Sequence, residues 1–255
     1  MTPRTIRRSL SAWLAMLSLF LAVRALAEVP AVAFDNANRL YEQGKFVDAA
    51  AAYEKLLQTG QTTEAIYFNW GNALFKAGHI GRAIAAYQQA QRIAPRDPDV
   101  RANLQFARNQ VQGPTFVAER IWRWLARLTL NEWTWLAAGA VWLWFLLLSL
   151  LQFRPVLRPT IRPYALWGGL LALLLCAFFS AAFYFDRLSQ RAVVVAQEAV
   201  VRQAPVDESQ TAFTLHDGAE LQILDQKDQW LQVQADPKRI GWVRRDSLLL
   251  LNGAS

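Results

Sequence analysis

The chain has 255 residues, 27 Lys and Arg against 20 Asp and Glu, a net charge of +7, one cysteine and two histidines. Four of the arginines (Arg4, Arg7, Arg8, Arg24) lie in the first 27 residues with no acid among them, so the rest of the chain is close to balanced. That leaves no broad basic field for nucleic acid. A single Cys176 gives no intramolecular disulfide, and His79 and His216 are too far apart for a metal-ligand motif.

The composition is 54% hydrophobic, and seven of the eleven tryptophans fall between residues 122 and 167. Indole favours the headgroup level of a bilayer, where the ring is buried and the N–H stays wet, so this clustering points to a membrane protein. Residues 1–27 read as a secretory signal peptide, with basic residues, then an uncharged run from Ser9 to Val23, then Ala25 and Ala27 before Glu28. Cleavage and retention as an N-terminal anchor are both open, and either one exports the domain beginning at Glu28.

Residues 28–115 repeat with a period of 34. Leu40 and Leu74, Tyr41 and Phe75, Gly44 and Gly78, Phe46 and Ile80, Ala49 and Ala83, and Tyr53 and Tyr87 are each 34 apart. Helix pairs are expected at about 30–63 and 64–97, turning at Gly44 and Gly78, with alanines where helices approach closely and aromatics filling the layers. A further helix over 97–112 starts like a third repeat and is expected to act as the cap. The second copy resembles the tetratricopeptide repeat at Tyr67, Trp70, Gly71, Leu74, Gly78, Ala83, Tyr87, Ala90 and Pro95. The resemblance implies an all-α solenoid with a peptide-binding groove lined by the first helix of each pair. Here that groove would present Phe34, Asn38, Tyr41, Asn69, Asn72, Phe75 and Asn103. Asparagine offers a donor and an acceptor to an extended peptide backbone, but these asparagines have a structural reading as well.

Residues 116–131 place Arg120, Arg123 and Arg127 on one helical face and Ile121, Trp124, Leu125 and Leu128 on the other. An amphipathic juxtamembrane helix fits, lying on the membrane or packed on the preceding domain. The uncharged runs 133–153 and 163–185 are each long enough to span a bilayer. Between them the connector 154–162 carries Arg154, Arg158 and Arg162 without an acid, and three prolines that should prevent one continuous helix. The positive-inside rule puts it in the cytoplasm, with both soluble parts outside.

Beyond residue 190 the pattern changes to short alternating stretches, Ala192 to Val201, Glu220 to Asp225, Trp230 to Gln234, Ile240 to Val243 and Ser247 to Leu250, separated by turn-forming sequence. A small all-β barrel over 193–251 is expected. Val200 to Pro205, Gly218, Trp230 and Gly241-Trp242-Val243 resemble the bacterial SH3-like domain, which implies a surface for cell-wall peptides, with Arg202, Trp230 and Trp242 as its candidate residues. Core packing is the other reading of the two tryptophans.

The whole order resembles the BatE-like proteins of the Bacteroides aerotolerance operon, most visibly in residues 34–44 and 97–104. That resemblance implies a bacterial inner-membrane protein with both soluble domains in the periplasm. It also implies envelope partners of the von Willebrand A-domain and MoxR-type ATPase system. With no phosphate loop, no zinc-protease motif and no nucleophile motif in the chain, the expectation is an adaptor without catalytic residues, metal or cofactor. The alternative is a peptidoglycan-associated binder.

Overall fold

The computed structural model describes residues 31–111, 124–188 and 190–251. The expected signal peptide and most of the expected juxtamembrane helix lie outside the described residues.

Among the described residues, five helices build the first domain: α1 over residues 31–42, α2 Phe46–Gln58, α3 Glu64–Lys76, α4 Ile80–Ile93 and α5 Pro98–Arg108. Their ends follow from local chemistry. Thr63 accepts the Ile66 N–H at the start of α3, and Asp97 accepts the N–H groups of Asp99 and Val100 ahead of Pro98 at the start of α5. Gly44 and Gly78 take positive φ (+75° and +86°), and the chain closes behind them identically, with Lys45 N–H on Leu40 O and His79 N–H on Leu74 O. The layers between helices are filled by Tyr53, Leu56, Ile66, Trp70, Leu74, Tyr87 and Leu104. Ala37, Ala49, Ala73, Ala83 and Ala90 are fully buried where backbones come close.

The first long helix runs Leu130–Phe153, opened by a capping box between Thr129 and Glu132. At about 1.5 Å per residue its 24 residues span about 36 Å, enough to cross a roughly 30 Å hydrocarbon core. The second, Arg158–Phe183, begins five residues earlier than the uncharged run suggests. Pro159 occupies the first turn, where its missing N–H costs nothing, and Pro163 is carried inside the helix. The break between the helices is therefore only Arg154 and the turn Pro155–Leu157. Leu125 and Trp133 from the start of the hairpin pack with Ala182, Phe178 and Phe185 from its end, so the two helices are antiparallel. Gly169 meets the Trp144 indole so closely that a Cβ would lie 2.7 Å from Nε1. Trp135, Trp142, Leu166 and Trp167 are exposed, as lipid-facing side chains would be.

The last domain is an antiparallel sheet of seven strands: β1 Arg191–Val194, β2 Glu198–Arg202, β3 Thr211–His216, β4 Glu220–Lys227, β5 Trp230–Asp236, β6 Arg239–Arg244 and β7 Leu248–Leu250. The order is β3-β2-β6-β5-β4-β1-β7. The expected barrel is corrected on this point: the sheet is open, with β3 and β7 at its two edges. The stretch expected as one strand over 192–201 is two strands with a turn at 195–197, and Val195 N–H bonds to Ser247 O there. Ala192, Val194, Val201, Leu215, Leu221, Leu231, Val233 and Val243 form the core on one face.

The soluble domains are not separate beads. Val193 and Leu251 of the sheet belong to the same buried cluster as Ile84, Tyr87 and Leu104 of the repeats. Arg92 on α4 pairs with Asp186 at the hairpin exit, and Arg96 pairs with Glu132 at its entrance. α5, the helix expected to cap the repeats, packs on α4, and the sheet domain meets α4 as well, through Val193 and Leu251.

Candidate functional site

The groove asparagines form two copies of one hydrogen-bonded unit. In the first, Asn38 Oδ1 accepts the Tyr53 hydroxyl at 2.5 Å and the Asn69 Nδ2 at 3.2 Å. In the second, Asn72 Oδ1 accepts the Tyr87 hydroxyl at 2.7 Å and the Asn103 Nδ2 at 2.9 Å. Every member of the second unit stands 34 residues after its counterpart. A carbonyl oxygen has two lone pairs, and in each unit both are taken by the protein itself. Asn38 and Asn72 are thus left with amide N–H to offer a ligand, whereas Asn69 and Asn103 each commit an amide N–H to the unit.

Both tyrosines are buried, and burial raises their pKa values, Tyr53 to about 12 and Tyr87 further in the same direction, so each hydroxyl remains a donor. The remaining groove candidates are aromatic and half-buried. Phe34 packs edge-on against Tyr53 with centroids 6.0 Å apart, Tyr41 against Phe46 at 5.3 Å, and Phe75 against Phe106 at 5.4 Å.

Phe106 was missed from the sequence, and it is 56% exposed. The period carried the signal, because positions 38, 72 and 106 read Asn, Asn, Phe. The third copy has no tyrosine for an asparagine to receive, since residue 121 is isoleucine where 53 and 87 are tyrosine. An exposed phenylalanine on Phe75 makes the far end of the groove apolar.

On the sheet, cross-strand partners share a face, and Trp242 is paired with both Arg202 and Gln232, while Trp230 is paired with Arg244. All three SH3-like candidates therefore lie on the face away from the core. They differ in availability. Arg202 is held by its guanidinium on Ser209 O at 2.7 Å and Trp242 is half-exposed, whereas Trp230 is only 5% exposed, with the Arg244 guanidinium 5.9 Å from its ring centre. An open depression of about 430 Å³ lies beside it, lined by Gln229, Arg244, Arg245 and Asp246. No group of His, Cys, Asp and Glu that could hold a metal ion occurs among the described residues.

No curated protein matches the chain. Residues 64–97, the second copy of the period, are similar to the tetratricopeptide repeat, and residues 195–248 are similar to the bacterial SH3 domain. The chain thus combines a helical tetratricopeptide-like region, two apolar helices that could cross a membrane and an open antiparallel sheet with bacterial SH3 similarity, an assembly suited to protein–protein contact.

Proposed function

We propose that this chain is a non-enzymatic adaptor anchored in a bacterial inner membrane, presenting the repeat groove and the outer face of the sheet to envelope proteins on the periplasmic side. The observation that carries this reading is the placement of both soluble domains at one end of the hairpin, where Arg92–Asp186 and Arg96–Glu132 tie the repeats to the two helix ends. A hairpin returns the chain to the side it left, and Arg154, Arg158 and Arg162 at the opposite end favour a cytoplasmic turn. Two surfaces held on one patch raise the effective concentration of each for a shared partner. The whole-chain resemblance supports partners of the von Willebrand A-domain and MoxR-type ATPase system, and with them a part in aerotolerance.

The bacterial SH3 similarity, with Trp242 and Arg202 side by side, favours one second reading, cell-wall peptide held on the outer face of the sheet. One experiment addresses both. Full-length protein is crosslinked in membranes and captured, as wild type and as Phe106→Ala and Trp242→Ala variants, and its binding to purified sacculi is measured in parallel. Asn72→Ala is a poor probe because it removes the acceptor of Tyr87. The adaptor reading expects defined membrane proteins that Phe106→Ala loses. Sacculus binding lost in Trp242→Ala, with no captured proteins, would replace it by the wall-binding reading.

A further inference from the structure

Among the described residues the array ends at α5, and the residues at its end depart from the period in a single direction. Position 47 in the first repeat is an exposed valine, whereas 34 residues on stands Gly81. A Cβ there would lie 2.1 Å from Val194 O, 2.4 Å from Asp217 Oδ1 and 2.8 Å from Gly218 N. The sheet backbone sits on α4 at van der Waals contact, and the Gly81 N–H donates to Asp217 Oδ1 at 3.1 Å.

Leu40 and Leu74 are followed at the same interval by Arg108. Its guanidinium makes a two-pronged bond to Glu220, at 2.6 and 2.8 Å, and Glu220 is the sole polar residue fully buried among the described residues, at 4% exposure. Charge this deep is retained only where it is paired with good geometry.

The contact also reproduces one made inside the array. Glu54 on α2 is bonded by Arg82 of α4, the second helix of the next repeat. The counterpart of Glu54 is Gln88 on α4, and it is bonded by Glu220, its Nε2 donating at 2.7 Å. Ala50, buried between helices, has as its counterpart Ile84, which is 0% exposed and touches the Gly218 turn. Gln89 closes the edge by donating to Leu251 O at 2.8 Å.

We infer that the sheet domain takes the place of the second helix of a third repeat, and that Glu220 is the positioning residue that sets it in register on α4 and α5. The two soluble modules are then one cooperative body with a fixed angle between groove and sheet face. This goes beyond the adaptor reading, which requires only that both modules be tethered.

Hydrogen exchange of the full-length protein in micelles tests this. Gly81→Val, which restores the residue the first repeat carries, is expected to raise exchange about tenfold or more in α4, α5 and β1 together. The β5–β6 hairpin stays protected, and the control Val47→Gly leaves α5 and β1 unchanged. Wild-type protection of α5 in Gly81→Val, or a rise confined to the sheet, overturns the inference. A second set, Arg108→Ala, Glu220→Ala and the double variant, keeps the test independent of a folding failure. The expected result is a double variant no more exposed in α5 and β4 than the worse single variant, and fully additive effects overturn the inference.

Discussion

The two repeats differ least where they face their own groove and most where they face their next neighbour. On the groove side the units Asn38–Tyr53–Asn69 and Asn72–Tyr87–Asn103 are copies, bond for bond. On the other side, Val47 has become Gly81, Ala50 has become Ile84 and Glu54 has become Gln88, and a third leucine has become Arg108. The first repeat's neighbour is another repeat, and there Ala50 is buried between helices while Val47 stays exposed. The second repeat's neighbour is the sheet at β1 and β4 and the Asp217–Gly218 turn, and its residues are fitted to a backbone oxygen and a buried carboxylate. A period therefore records what is shared between layers, and its exceptions record what each layer touches.

The largest effect expected from breaking this contrast comes from Arg108→Leu, which completes the leucine series. The substitution suits the helix but takes the two-pronged guanidinium off Glu220 and leaves it the Gln88 amide and the neighbouring Arg191 charge, at a cost of about 2–3 kcal/mol. Adding Glu220→Leu should recover part of that loss, because an apolar pair replaces the ion pair while Arg191 gives up the Glu220 charge beside it. Chemical unfolding of the full chain in micelles, followed by tryptophan fluorescence, measures both. A single Arg108→Leu variant as stable as wild type would mean that the carboxylate is solvated.

Much of this architecture is legible in the sequence, for identifiable reasons. The turns inside the two helix pairs are marked by Gly44 and Gly78, which carry the positive φ those turns need, and the apolar helices are marked by long runs without charge. Three features were obscured. The start of the second long helix was hidden by Pro159, since proline is a breaker in mid-helix and a favoured residue in the first turn. Strand β3 was missed because Thr211–His216 has only Phe213 and Leu215 as large apolar residues, too few to give a clear alternation. The sheet's openness and its seat on α4 and α5 are tertiary facts. Their trace in the sequence, the departures Gly81 and Arg108, gains meaning only once the partner surface is known. At the groove, the spacing brought out the asparagines but not that tyrosines already occupy them.

A smaller effect, about 1–2 kcal/mol, sharpens the contrast between groove and outer side. Asn38→Ala and Asn72→Ala each leave a buried tyrosine hydroxyl without its acceptor and should cost nearly the same amount, since the two units are copies. Asp48→Ala on an exposed turn of α2 provides a baseline within about 0.5 kcal/mol. Unequal losses at 38 and 72 would show that docking of the sheet reaches the groove, because only Tyr87 lies on the helix that carries the sheet.

The stability tied to the raised tyrosine pKa values is constant across neutral pH, and its dependence on pH emerges only in alkali. Burial lifts Tyr53 to about 12 from the ordinary 10, so between those values the unfolded chain releases a proton that the folded chain keeps. Stability from this source is complete below pH 10 and declines as pH rises toward 12. Tyr53→Phe removes it, so the difference in unfolding free energy between wild type and variant should be constant from pH 7 to 9 and shrink above pH 10. Tyr87, raised further, should show the same decline with its upper limit at higher pH, and a difference that stays flat to pH 12 would place both hydroxyls in contact with water.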